Sequence, residues 1–95
     1  MKRVIYKIFN NINDKIYIGS AEKFSYRVSQ HKFHLKKKTH HNRKLQNFVN
    51  KYGIESIFFE VIYVCNDEDD LINKEQLYID ELKPFFNIAK VAGSN

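Results

Sequence analysis

Two short runs of β-branched and aromatic residues, Val4–Phe9 and Lys15–Ser20, flank the turn Asn10-Asn11-Ile12-Asn13-Asp14. Strand-forming segments bounded by an Asn/Asp cluster read as a β-hairpin, because Asn and Asp side chains bond to their own backbone and tolerate turn conformations. Each strand carries one tyrosine, Tyr6 and Tyr17, with ten residues between them. A register pairing Phe9 with Lys15 would put the two tyrosines on opposite faces. One that pairs Tyr6 with Tyr17, directly or through a bulge, would put them on the same face, and this is the expected arrangement. Gly19 ends the second run, where a missing Cβ lets the backbone turn or approach a neighbour closely.

The spacing after the hairpin predicts a helix over 22–38. On a helical wheel Phe24, Val28, His31 and Leu35 fall within about 40° of one another, with Arg27, His34 and Lys38 along one edge of that stripe. His31 therefore lies inside an apolar face, either as a satisfied core residue or as a functional one, and Arg27 one turn earlier favours function. Thr39-His40-His41-Asn42 interrupts the pattern. Asn42 can cap a second helix over 42–52 with the stripe Leu45, Phe48, Val49 and Tyr52, stopped at Gly53. Arg43 and Lys44 fall in its first turn, where the helix dipole disfavours cations and a docked phosphate would be welcome. His40 and His41 are adjacent without a nearby cysteine or carboxylate, which argues against zinc.

Ile57–Cys65 is a near-continuous apolar run with one carboxylate. It reads as a strand buried on both faces and as the middle of the sheet. A third helix is expected over 67–82, capped by Asn66 or Asp67. Its apolar face holds Leu71, Ile72, Tyr78, Ile79 and Leu82, and Glu75 falls in the centre. Burying a carboxylate without a partner costs several kcal/mol, so a cation must meet it. That cation is either Arg27 in a structural ion pair or a metal. Pro84-Phe85-Phe86-Asn87-Ile88-Ala89 looks like an apolar tail returning to the core, with Asn87 its only polar side chain.

Ninety-five residues make one domain, and 43% apolar residues with eight Phe and six Tyr suit a folded chain. The fold class expected is α/β (α+β), a small three-stranded antiparallel sheet with three helices. The net charge of +5 favours a polyanionic partner. That charge is uneven. Lys32, Lys36, Lys37, Lys38, Arg43, Lys44 and Lys51 occupy residues 32–51 with no acid among them, whereas residues 67–81 hold most of the carboxylates. The single Cys65 leaves no intramolecular disulfide and suits a small buried hydrophobe. No secretory signal or apolar run of membrane-spanning length is visible, so an intracellular location, cytoplasmic or nuclear, is expected.

Val4-Ile5-Tyr6, Tyr17-Ile18-Gly19, Arg27 and His31, followed by His40, Glu75 and Asn87, resemble in order and scale the GIY-YIG nuclease domain of homing endonucleases. Val4 stands where the name motif has glycine. The resemblance spans nearly the whole chain, 1–95 being read as one such domain, excised or not from a longer protein. It implies a DNA endonuclease with a catalytic set of Tyr6, Tyr17, Arg27, His31, His40, Glu75 and Asn87. Tyr6 would be general base supported by His31, with Tyr17 positioning water or phosphate, although the residues alone do not separate the two tyrosines. Arg27 would stabilise charge, and Glu75 would hold one Mg²⁺, with Mn²⁺ an acceptable substitute. Lys32, Lys36, Lys37, Lys38, Arg43 and Lys44 would meet the phosphates of double-stranded or branched DNA, the protein acting as a monomer. The competing class is a catalytically silent nucleic-acid-binding module of the same fold, against which the intact set argues.

Overall fold

The computed structural model describes residues 2–88. Strand β1 (Val4–Asn10) and strand β2 (Tyr17–Ala21) form the hairpin. Helix α1 (Phe24–Lys37), helix α2 (Arg43–Tyr52), a 3₁₀ turn (Ile54–Ser56), strand β3 (Ile57–Val64) and helix α3 (Leu71–Leu82) follow. The sheet is antiparallel throughout, in the order β2-β1-β3. Asn10 closes the hairpin turn by accepting from the backbone N–H of Ile12 and Asn13 and donating to the Lys15 carbonyl. None of the helices among the described residues is long and apolar enough to cross a membrane.

The central strand is β1 rather than β3. Val4, Ile5, Tyr6 and Ile8 are buried on its two faces, whereas Phe58, Val61 and Val64 of β3 are exposed. The cationic Lys7 of β1 lies opposite Glu60 of β3 and pairs with it at 3.3 Å. A bulge in β3 hides the order from the sequence. Ile5 faces Tyr63 while Tyr6 faces Val61, so the strand's faces exchange partway along and its continuous apolar run hides an edge strand.

Tyr6 and Tyr17 do share a face, but not as a directly opposed pair. Tyr6 sits opposite Gly19 and Tyr17 opposite Ile8. The reason is steric: a Cβ on Gly19 would lie 2.6 Å from Tyr6 Oη. The phenol ring lies across the glycine, and only a residue without a side chain leaves it room.

Each sheet face has its own core. On one, Val4, Tyr6, Ile8, Tyr17 and Ala21 pack with Leu35 of α1 and Leu45, Phe48 and Val49 of α2. On the other, Ile5 and Ile18 pack with Ile79, Leu71 and Tyr78 of α3. The expected stripe of α1 holds, with His31 and Leu35 buried. Asn42 caps α2 by accepting from Leu45 N–H, and Gly53 ends it. Helix α3 starts at Leu71, not at 67. Its cap is Asp70, which accepts from Ile72 and Asn73 N–H, because Asp69 is taken up by Tyr63 and the Asn66 N–H. Within α3 only Glu75 and Ile79 are buried, and Ile72 and Leu82 point outward, contrary to their expected place on the inner stripe. Cys65 is buried. The tail docks as expected through Phe86, whose N–H donates to Ile16 O, while Ala89 lies outside the described residues.

Substituting Gly19 by alanine should destabilise the domain by about 1–3 kcal/mol, the usual cost of overpacking a filled core. Urea denaturation compares the two proteins. An unchanged midpoint would mean that the tyrosine ring shifts without cost.

Candidate active site

Four residues of the expected set meet around the Tyr6 hydroxyl. Tyr6 is fully buried, and its Oη lies 2.6 Å from His31 Nε2. His31 Nδ1 lies 2.7 Å from His40 Nε2, and His40 Nδ1 accepts from the Asn42 N–H at 3.0 Å. The Tyr17 ring meets His31 edge-on, with centroids 5.7 Å apart. These groups come from β1, β2, α1 and the loop before α2, all on one sheet face. Tyr17, Arg27, Gln30, His31, His34, His40 and His41 line a cleft of about 210 Å³ that opens beside them.

Glu75 approaches from the other face. Strand alternation turns Tyr17 and Gly19 toward α1 and α2, and Ser20 toward α3. Ser20 Oγ donates to Glu75 Oε1 at 2.7 Å. Arg27 reaches the same strand from the helix side, its Nη1 donating to Ser20 O at 3.1 Å. The direct Arg27–Glu75 ion pair that the sequence left open is not among the salt bridges of the described residues. Arg27 instead crosses the edge of β2, between the tyrosines and the carboxylate.

Asn87 has a precise backbone task. Its Oδ1 accepts from Ile18 N–H at 2.8 Å and its Nδ2 donates to Ile18 O at 2.9 Å. With the Phe86–Ile16 and Arg27–Ser20 bonds, it completes the outer edge of β2, which has no further strand beside it among the described residues. Asn87 thus holds the backbone between Tyr17 and Gly19 in place.

Burial dominates the electrostatics. It lowers His31 from 6.5 to about 3, with His40, Arg27, His41 and His34 adding repulsion, and lowers His40 from 6.5 to about 4, with His41 and His34 acting the same way. His41 is lowered by burial, His34 and Arg27. Both buried histidines are therefore neutral at neutral pH. Burial pushes the Tyr6 phenol well up, with Tyr17 reinforcing it and the Arg27 guanidinium opposing it. Glu75 is raised by burial, against the pull of the Ser20 hydroxyl and Arg27.

The basic residues lie outside the cluster. Lys32, Lys36, Lys37, Lys38, Arg43 and Lys44 are all exposed, and none pairs with a carboxylate among the described residues. Lys36, Lys37 and Lys38 cluster at the end of α1, and Arg43 and Lys44 open α2 after His40 and His41. Two supporting residues, Gln46 and Ser20, escaped the sequence reading, as did a second task of Asn42, which was expected only as a helix cap. Gln46 accepts from His40 N–H and donates to Leu35 O, and nothing in its local pattern marks it. The Asn42 N–H is a backbone group and carries no signature. Ser20 was legible in principle, since alternation along β2 turns it away from Tyr17.

This is an α/β domain whose site gathers paired tyrosines, an arginine and a buried carboxylate around one strand edge. The chain belongs to the GIY-YIG catalytic-domain family, whose match covers residues 2–89. It is 38% identical over 95 residues to intron-associated endonuclease 1 of Enterobacteria phage T4, covering 97% of this chain and 38% of that protein's length. Among solved structures it resembles the catalytic domain of intron endonuclease I-TevI in an E75A mutant, with a TM-score of 0.86 and 34% identity over 99% of this chain and all of that one (100%). A second structure of the catalytic domain of homing endonuclease I-TevI gives 0.83 and 35%, covering 93% of this chain and 99% of the other.

Acid should unfold the domain through its histidines. A group whose folded pKa is depressed contributes stability that is present above its unfolded value and lost as pH falls through the folded one. For His31 and His40 that window runs from 6.5 down toward about 4 and 3. The melting temperature should fall across it, and less steeply in His31→Gln. Parallel curves for the two proteins would assign the acid loss to other groups.

Proposed function

We propose that this chain is the catalytic domain of a metal-dependent DNA endonuclease, hydrolysing phosphodiester bonds at the cleft beside Tyr17 and Arg27. The observation that carries it is the juxtaposition of a hydrogen-bonded tyrosine–histidine cluster, an exposed arginine and a buried glutamate at one strand edge. Hydrolysis needs an activated water, stabilised charge on the phosphoryl oxygens and an assisted leaving oxygen. The Arg27 guanidinium is always charged and can fork onto two phosphate oxygens. The tyrosine pair supplies the base, Tyr6 as the resemblance implies and Tyr17 positioning water or phosphate from the cleft wall. Tyr6 is neutral at rest, so forming its phenolate relies on cations gathered at the site.

The residues fit one Mg²⁺ better than a metal with many protein ligands. Glu75 is a hard oxygen donor with the Ser20 hydroxyl beside it, the histidines are engaged with one another, and the described residues hold no group of three metal-ligating side chains. Mg²⁺ keeps several waters and takes phosphate oxygens as further ligands, so one carboxylate suffices, and Mn²⁺ suits the same donors. Bound at Glu75, the ion would neutralise charge on the phosphoryl oxygens and ease departure of the leaving oxygen. The substrate is double-stranded or branched DNA, met by a monomer through the exposed cations of α1 and α2. Contacts of that kind grip the backbone and carry no sequence information by themselves.

Plasmid nicking with and without Mg²⁺ tests the reading directly. Glu75→Gln should cut at least about a hundredfold more slowly, while its melting temperature and DNA affinity stay near those of the parent, because the lost interaction belongs to the reaction. A strongly destabilised variant that still nicks would return Glu75 to a structural role. Replacing Lys36, Lys37 and Lys38 by alanine should flatten the salt dependence of DNA affinity by about one unit of slope per lost phosphate contact. An unchanged slope would make these lysines ordinary solvated surface.

A further inference from the structure

A neutral imidazole carries one N–H, and which nitrogen holds it follows from what the other accepts. In the buried cluster one end of the hydrogen-bond chain is unambiguous. The Asn42 N–H is a backbone amide and can only donate, and it donates to His40 Nδ1 at 3.0 Å. A neutral His40 must then carry its hydrogen on Nε2, which lies 2.7 Å from His31 Nδ1. That nitrogen accepts, so His31 must in turn carry its hydrogen on Nε2, 2.6 Å from Tyr6 Oη. The ring geometry agrees. The two imidazoles are only 18° from parallel with centroids 4.9 Å apart, the separation of an end-on N–H···N bond rather than a face-to-face stack.

We propose that Asn42, His40, His31 and Tyr6 form a one-way donor relay. Its anchored end fixes both histidine tautomers, so that His31 donates to Tyr6 Oη and the tyrosine's own hydrogen is turned away from the histidines. His31 and His40 are then positioning residues, not the bases that take the tyrosine's proton. The relay has no outlet at its far end, since a backbone amide accepts nothing, and a proton pushed into it would leave a buried imidazolium. Tyr17 of β2, Arg27 and His34 of α1, His40 and His41 of the following loop, and Glu75 across the strand are the titratable and charged groups around this pair. Burial opposes such an imidazolium most strongly at both positions, with Arg27 adding to it at His31, and the opposing pull of the Asn42 backbone at His40 leaves that ring lowered as well. A phenolate at Tyr6, by contrast, would receive a ready donor from His31. The proton that Tyr6 gives or takes during the reaction therefore moves on the side away from the histidines. Successive donors aligned in one direction also polarise one another, which strengthens the last bond of the series.

The inference deepens the nuclease reading for this site, but its first test does not depend on cutting. Long-range ¹H–¹⁵N correlation on the labelled 95-residue chain near pH 7 should show Nε2 protonated and Nδ1 bare in both His31 and His40, with exposed His34 and His41 as internal references. His31 protonated on Nδ1, or a charged ring at either position, overturns the relay. Two variants test which end sets the direction. Tyr6→Phe removes the acceptor and should leave the His31 tautomer unchanged, because the anchor is at Asn42. His40→Ala removes the anchor and should give a tautomer mixture at His31. The reverse pattern would place control at the tyrosine and overturn the proposal. In nicking assays His40→Ala should lower kcat about ten- to a hundredfold with KM unchanged, the range expected for losing one hydrogen bond to a charged group. An unchanged kcat counts against it. If His40→Ala fails to fold, the parent and Tyr6→Phe spectra still decide. A parent chain that shows the tautomers but never nicks DNA overturns the nuclease reading alone.

Discussion

The 2.6 Å hydrogen bond between Tyr6 and His31 joins the central strand to the first helix through the middle of the larger core. It is a polar contact inside an apolar cluster, and such contacts are tolerated only when every member is satisfied. Here each member is. His31 passes the chain to His40, His40 ends it on a backbone amide, and Gln46 holds the His40 backbone to the end of α1. Among the described residues no buried side-chain nitrogen or oxygen lacks a partner. The packing that allows this begins at Gly19, which lets the Tyr6 ring lie flat enough for its hydroxyl to meet α1.

Burial that would be costly for charged groups has a use here. It keeps His31 and His40 neutral, which lets them hold a single pattern of donors and acceptors across the pH range where the domain is stable. Arg27 is the complement. Its side chain stays at the surface, donates to the Ser20 carbonyl and lies close enough to the Tyr6 phenol to oppose the rise in its pKa. One arginine thus bears on the tyrosine, the histidines and the glutamate at once without being committed to any of them in an ion pair.

Much of this was legible in the chain itself. The hairpin, the α1 stripe with His31 inside it, the Asn42 cap and the buried Glu75 all follow from periodicity and capping chemistry, which are local. The failures were not local. The continuous apolar run of Ile57–Cys65 misdirected the strand order, because it does not reveal which partner lies alongside or where a bulge falls. The register slipped because a glycine opposite a tyrosine looks no different in sequence from a glycine at a strand end. The α3 cap was misplaced because Asn66, Asp67, Asp69 and Asp70 can all cap a helix, and the engagement of Asp69 by Tyr63 and Asn66 leaves the role to Asp70. Asn87 drew notice as the lone polar side chain of an apolar tail and through the family resemblance, neither of which reveals its backbone partner. Its bonds to Ile18 lie 69 positions away in sequence, a distance no window spans.

Strand β2 is the ruler of the site. Gly19 and Ser20 are consecutive, yet pleating sends one to the tyrosine face and the other to the glutamate face. The separation between the phenols and the carboxylate is therefore set by the thickness of one strand and not by a mobile loop. An edge strand would ordinarily be a poor ruler, since its outer backbone groups are free to fray or to pair with another chain. Phe86, Asn87 and Arg27 remove that freedom at Ile16, Ile18 and Ser20 in turn. The C-terminal tail and the arginine thus do for β2 what a fourth strand would do, while leaving the cleft beside Tyr17 open. A true fourth strand would have run across the edge where the arginine passes between the two halves of the site.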